Sequence, residues 1–212
     1  MALSSYALID LPTLKSYKGV EGTGEDDRLI SAINAASAWI ETATERHFVT
    51  RGAVTEYHSL DKWGIHTITL SQSPIITLTS VHESTGSPRV YDATSILTTA
   101  TDYLAVSNVD RAQIRRLSSS DLTDWAVGYR CIQVIYSYGY ASTATIPADL
   151  AFLATYLAYS IYKEADRGWH GMVSVSDAQG SVTRLGRHLP PEMKAVLDGY
   201  TRVMFERTWE VA

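Results

Sequence analysis

The chain has 212 residues, 45% of them hydrophobic and 19% charged, and carries a formal net charge of −5. That length and apolar share allow one large domain, or a domain with a sizeable insertion, around a proper core. The acidic balance and the lack of any Lys/Arg block disfavour a surface made to coat nucleic acid. No run approaches a membrane span, and the opening "MALSSYALIDLPTLKSY" gains Asp10 and Lys15 too early and has no basic leader, so it is not read as a signal peptide and synthesis in a cytoplasm is expected.

In chain order, Asp10 or Pro12 starts a short helix through Tyr17. The stretch "KGVEGTGEDDRLI" (18–30) then puts glycines at 19, 22 and 24 just ahead of a second helix, the layout of an anion-binding loop. The following residues are Glu25, Asp26 and Asp27, with no Lys-Ser/Thr pair for phosphate and magnesium, so the glycines read as a hinge and the acids as a helix start that complements the dipole. That helix is expected from Glu25 to about Arg46. Leu29, Ile33, Ala36 and Ile40 give it a buried stripe, while Ala32, Ala35, Trp39 and Ala43 form a shallower face that admits a second helix at close range.

From Phe48 to Tyr140 the composition shifts to short runs of Thr, Val, Ile and Tyr separated by Gly, Pro, Ser and Asp, which is a β pattern. Strands are expected at 53–60, 65–70, 75–83, 89–92, 103–106, 113–117 and 130–138, the last apolar on both faces and therefore central in its sheet. Cys131, the only cysteine, lies in that run and reads as a buried, inert thiol. Pro147 then opens "ADLAFLATYLAYSIYKEA", a helix apolar nearly all round, with Leu150, Leu153, Leu157 and Ile161 on one side and Phe152, Tyr156 and Tyr159 on another. A Gly/Ser-rich loop is expected from Gly168 to His188. The paired prolines of "LPPEM" lead into a last helix to about Trp209, burying Met193, Val196 or Leu197, Tyr200 and Met204, with Lys194, Asp198, Arg202 and Glu206 as an exposed charge ladder.

The expected fold is α+β: a helical bundle from the N- and C-terminal helices (1–47 and 141–212) with an inserted, mainly antiparallel β region (48–140). Catalytic templates fail one by one. There is no G-x-S-x-G elbow and no H-E-x-x-H, the six histidines are scattered, and the three consecutive acids fan around a helix rather than converge on one ion. No enzyme, metal or cofactor is expected. Thirteen tyrosines and five tryptophans lack the interleaved Arg and Lys of a single-strand binder, and suit subunit contacts instead.

These residues resemble a known family, the tailed-phage head-tail connector (adaptor) proteins, including those of gene transfer agents. "LIDLPTLKSY" with "EDDRLISAINAASAWIETATERHF" is similar to that family's opening helices, "ITLSQSPIITLTSV" to its strand pair, "VIYSYGY…IPADL" to its strand, turn and Pro-started helix, and "LPPEMKAVLDGYTRV" to its final helix. Tyr138 before Gly139 and the segment from Gly168 onward depart from the pattern. The resemblance implies a structural virion protein: a ring of copies, typically twelve, beneath the portal in the neck between head and tail. It would join portal to stopper or tail-completion protein and leave a channel for genomic DNA without sequence-specific binding, with no membrane partner and assembly in the host cytoplasm. Candidate subunit or partner contacts are Trp39, Tyr156, Tyr159, Trp169, Met172, Val173, Val175 and Trp209. The loop holding Trp169 to Val175 is expected to order on docking. The competing readings are a single-stranded nucleic-acid-binding module and a hydrolase with an unsignalled site in the β insertion.

Overall fold

The computed structural model describes residues 1–108, 111–166, 174–177, 180–183 and 189–201, the segments 174–177 and 180–183 as backbone alone. It is a mixed α+β chain with antiparallel sheets, divided into two compact units: Met1–Arg46 with Ser142–Ala212 (unit 1), and His47–Ala141 (unit 2).

Unit 1 begins with α1 (Leu11–Lys18). Asp10 caps it by accepting the Thr13 backbone N–H at 2.9 Å, Pro12 sits in the first turn, and Gly19 closes it in the left-handed region at φ 71°. Helix α2 (Asp26–Thr44) starts with Asp26 and Asp27 at its positive end and buries Leu29, Ala32, Ile33, Ala36 and Ile40. The segment before α1 is strapped along α2. Asn34 accepts from Ser4 N at 2.9 Å and donates to Ala2 O at 3.1 Å, and Ser37 Oγ accepts from Leu8 N at 3.0 Å. Within that segment Ala7, Leu8 and Ile9 are buried.

Helix α3 (Ala148–Asp166) packs against α1, α2 and α4 (Pro191–Tyr200), burying Leu150, Leu153, Ala154, Leu157 and Ala158. Each such side chain, fully buried, contributes about 1.5–3 kcal/mol for the larger aliphatics. The final helix is shorter than the sequence pattern predicts. It stops at Tyr200, with Thr201 extended (φ −64°, ψ 134°); the Tyr200 carbonyl accepts from Arg46 Nη1 at 3.1 Å and its phenol donates to Asp149 Oδ1 at 2.8 Å. Leu197 and Tyr200 are buried, Met193 and Val196 half-buried, and Met204, Arg202, Glu206 and Trp209 lie outside the described residues. The expected loop from Gly168 to His188 also needs correcting, since β8 (Ser174–Asp177) and β9 (Gly180–Thr183) pair within it as an antiparallel hairpin. A valine stands between hydroxyl residues in both short runs, Ser174-Val175-Ser176 and Ser181-Val182-Thr183, a period-two signal masked by the surrounding glycines.

Unit 2 holds two sheets. In the first, β7 (Gly128–Tyr138) lies centrally between β1 (Ala53–Leu60) and β3 (Ile75–Glu83), both antiparallel to it. Its even-numbered residues Ile132, Val134, Tyr136 and Tyr138 are buried and Gln133, Ile135 and Ser137 half-buried, as a strand covered unequally on two faces requires. The second sheet orders β2 (Thr67–Thr69), β5 (Ala112–Ser118) and β4 (Tyr103–Ser107), with β6 (Asp121–Leu122) on the end of β5. One apolar cluster draws on both sheets, around the fully buried Trp125, Ile114, Val81 and Ile132. Two expected strands change. The 65–70 run keeps only its middle, since the Ile65 carbonyl turns to Trp125 N at 2.9 Å. No strand forms at 89–92, where Asp92 bonds Thr94 N at 2.8 Å in a side-chain turn. Ser95 and Leu97 take that place beside β3, exchanging backbone bonds with Glu83 and Val81.

The sheets are tied by a nearly buried ion pair. Arg116 on β5 meets Glu83 Oε2 on β3 at 2.8 Å and 3.0 Å, and Glu83 Oε1 accepts Ala126 N at 2.6 Å. Replacing Arg116 with Ala is expected to cost about 3–5 kcal/mol in urea unfolding, because Glu83 is left buried and unpaired; Arg116→Met with Glu83→Leu should cost much less. Gly139, at φ 92°, has no room for a side chain, since a Cβ would stand 2.5 Å from the Phe48 carbonyl oxygen. Gly139→Ala should lower stability by at least about 1–3 kcal/mol in the same measurement.

Candidate assembly interface

The corner between α1 and α2 answers the question posed by the glycine-rich stretch. Lys15 Nζ donates to the Gly22 carbonyl at 2.7 Å and pairs with Asp26. Lys18 pairs with Glu25 and donates to Tyr162 Oη of α3 at 2.6 Å, while Tyr162 donates to Glu25 Oε1 at 2.9 Å. Hydrogen bonds from Lys18 and then Tyr162 hold the Glu25 carboxyl below its ordinary value. The acids meet lysines of their own chain, so this corner is a clasp and not an anion site.

The clasp places Tyr17, next to Lys18, against α3. Its ring lies 5.4 Å from Tyr159 and 6.4 Å from Phe152, both edge-on. Phe152, Tyr156 and Tyr159 follow one another at i, i+4 and i+7 and so share a helix face. Phe152 is 48% exposed and Tyr17 44%, and Lys163 continues the row with its ammonium 5.1 Å from the Tyr159 ring. A contiguous, half-open aromatic surface of this kind is what protein contacts use.

A second feature of unit 1 is a groove of about 540 Å3 between α2 and α3, with Ala32, Ala35, Ile161, Tyr162 and Ala165 along it and Asp27 and Arg28 among the polar residues lining it. In unit 2 two large side chains stand well out, Tyr129 at 72% exposure and Trp63 at 71%, the latter on the loop joining β1 to β2. That loop is held in place: Asp124 accepts Gly64 N at 3.1 Å and meets His66 Nδ1 at 2.9 Å.

Two clusters in unit 2 look chemical and are not. Glu56 accepts Ser71 Oγ at 2.7 Å, Ser71 N at 3.0 Å and Tyr136 Oη at 2.8 Å, with His58 Nε2 3.3 Å away. His58 faces the carboxylate rather than the serine, so there is no nucleophile–base pair. Burial works to raise the Glu56 carboxyl, but His58 and the Ser71 bonds outweigh it and bring it from 4.5 down to about 2. Burial, followed by the Glu56 charge, pushes the Tyr136 phenol up. The other cluster is an aromatic pair, Tyr57 and Tyr91, 5.6 Å apart, with Arg130 beside it and Arg89 Nε donating to the Tyr129 carbonyl nearby. The Arg130 guanidinium lies 3.7 Å over the Tyr57 ring, covering the face on which a base would stack.

No protein-family model matches the sequence, and no curated protein matches it significantly. Solved structures do. A chain in the virion of the native gene transfer agent (GTA) particle is 20% identical at a TM-score of 0.57, with 98% of this chain and 95% of that one covered. A chain in the neck of the empty GTA particle, computed with C6 symmetry, is 19% identical at 0.55, covering 98% and 95%. Another, in the neck of the native particle computed with C12 symmetry, is 17% identical at 0.55, covering 98% and 97%. The chain has the fold of a GTA particle component. At this identity the likeness is one of fold, and it runs nearly end to end through both units.

Within the GTA-type fold, Tyr156 and Tyr159 stand half-buried on the aromatic face of α3, and Trp39 is half-buried on α2. Trp169, Met172, Val173 and Trp209 lie outside the described residues, as does the side chain of Val175, which falls in β8. Tyr17 and Trp63 escape the sequence pattern, and Phe152, placed by it on this side of the helix, is not among the candidate contacts. The i, i+7 spacing of Phe152 with Tyr159 signals the first face, but nothing in "DKWG" tells an outward Trp from a buried one.

The folded-state value of Glu56 lies below its unfolded value, so its contribution is whole above about pH 4.5 and is lost as pH falls toward about 2. Acid titration of urea stability should therefore show a loss approaching about 3 kcal/mol across that window, and Glu56→Gln should flatten the slope.

Proposed function

We propose that this chain is a structural neck protein of a tailed-phage-like particle: an adaptor whose copies form a ring beneath the portal, join it to a stopper or tail-completion protein, and leave a channel for DNA. The observation that carries this reading is the near end-to-end likeness of fold to chains in GTA particles whose necks were computed with C6 or C12 symmetry. Twelve copies is the ring size that accords with both symmetries and with the family resemblance. The helical bundle of unit 1 supplies a suitable lateral surface, since Tyr17, Phe152, Tyr156 and Tyr159 remain partly open in the single chain. In a ring each subunit presents two different faces, so this surface need not match itself. Many weak, repeated contacts then add up through the closed geometry.

On this reading Trp169, Met172, Val173, Val175 and Trp209 belong to contacts with the portal or the tail side, and Trp39 to the lateral contact. No catalytic step is assigned. The structural carboxylate Glu56 and the covered ring of Tyr57 weigh against the hydrolase and the single-strand readings respectively.

Light scattering of the purified chain and averaged images of particle necks test the proposal. Rings are expected in at least one of the two, and their absence from both would overturn it. Phe152→Ser with Tyr159→Ser should weaken self-association by more than about tenfold, with an unchanged circular-dichroism spectrum.

A further inference from the structure

The loop bearing Trp63 and the groove between α2 and α3 each set one acid and one base beside an apolar element. Trp63 projects from "DKWG" and is 71% exposed, with Asp61 and Lys62 beside it, both exposed. Asp124 holds the loop through Gly64 N and His66, so little conformational freedom remains to be lost when the indole is captured. The groove, about 540 Å3, falls within the roughly 300–1,000 Å3 of pockets that enclose small ligands, enough for an indole and one flanking side chain. Its apolar lining is built from Ala32, Ala35, Ile161 and Ala165, small enough at three positions for close approach, with the Tyr162 ring beside them. Asp27 and Arg28 also line it, so an incoming Asp61–Lys62 pair meets an acid for its base and a base for its acid. Asp27 pairs with the Met1 amino group, and both are largely exposed, which makes that pair weak and exchangeable.

We infer that Trp63 of one copy seats in the α2–α3 groove of the next, with Lys62 against Asp27 and Asp61 against Arg28, giving a heterologous knob-and-groove contact that repeats around an assembly. The inference rests on the ring reading, because a knob and a groove on different parts of one chain propagate head to tail and close only if the rotation per copy allows it. It commits the groove to a second copy rather than to a foreign helix or a small molecule, on the strength of the paired charges.

The test mixes full-length Trp63→Cys with a mass-tagged full-length Ala35→Cys under a mild oxidant, at a concentration where light scattering shows oligomers. Cys131 is buried and stays out of the exchange. The expected product is a disulfide joining tagged to untagged chains. Trp63→Ala, and Ala35→Trp, which fills the groove, should each weaken self-association by roughly thirtyfold, the scale of an interface hot spot, without altering the circular-dichroism spectrum. Disulfides only between like chains, or no mixed product from an oligomeric sample, would overturn this contact and leave the ring reading standing. A chain that stays monomeric at every concentration and is missing from particle necks would overturn both.

Discussion

Lys18 is the constraint on which unit 1 turns. Its ammonium reaches Glu25 at the start of α2 and Tyr162 on α3, so three helices meet at one charge, and its ring contact with Tyr162, 3.9 Å from the centroid, adds to the hold. Because Glu25 stays partly exposed, the pair is worth less in stability than in register. Turning α1 by one residue would carry Tyr17 away from Phe152 and Tyr159 and dissolve the aromatic face. Asn34 and Ser37 act similarly on the other side of α2, spending polar groups on the leading segment and thereby leaving Ala32 and Ala35 to line an open groove.

Unit 2 uses a different device to the same end. Its sheets share an apolar cluster, but apolar packing alone tolerates sliding, and the Glu83–Arg116 pair with its bonds to Ala126 N and Asp102 O fixes one sheet against the other. Trp125 lies under that pair with its indole N–H on the His66 carbonyl at 3.1 Å. The adjacent Asp124 then fastens the loop that carries Trp63. A buried tryptophan and an exposed one are thus linked through two residues, and the rigidity of the core is passed to the tip of the loop.

The two units suit the subunit role proposed above. Each uses bonds between charged and polar groups to fix its elements, and each leaves apolar side chains at places held by those bonds. For a solitary soluble chain that would be a liability. For a component repeated around an axis it is a means of association that costs little ordering.

The sequence by itself determined the helix starts, the mixed α+β class and the central strand, because these follow from local chemistry: Asp10 and Pro12 at one helix start, acids at another, and an apolar run at β7 with no polar face to expose. Local pattern also betrayed its limits. Nothing nearby in the chain says that Arg46 will donate to the Tyr200 carbonyl at the end of α4, or that Ser95 and Leu97 rather than residues 89–92 will lie beside β3. Only the tertiary structure decided which aromatics face outward, since Tyr17, Phe152 and Trp63 have the same composition signal as buried rings, and exposure is set by what distant residues choose to cover. The acids after the glycines show the same division. Their place at a helix start was legible in the chain, but their neutralisation by Lys15 and Lys18 required the α1–α2 corner to close, because an ion pair is a matter of distance in space.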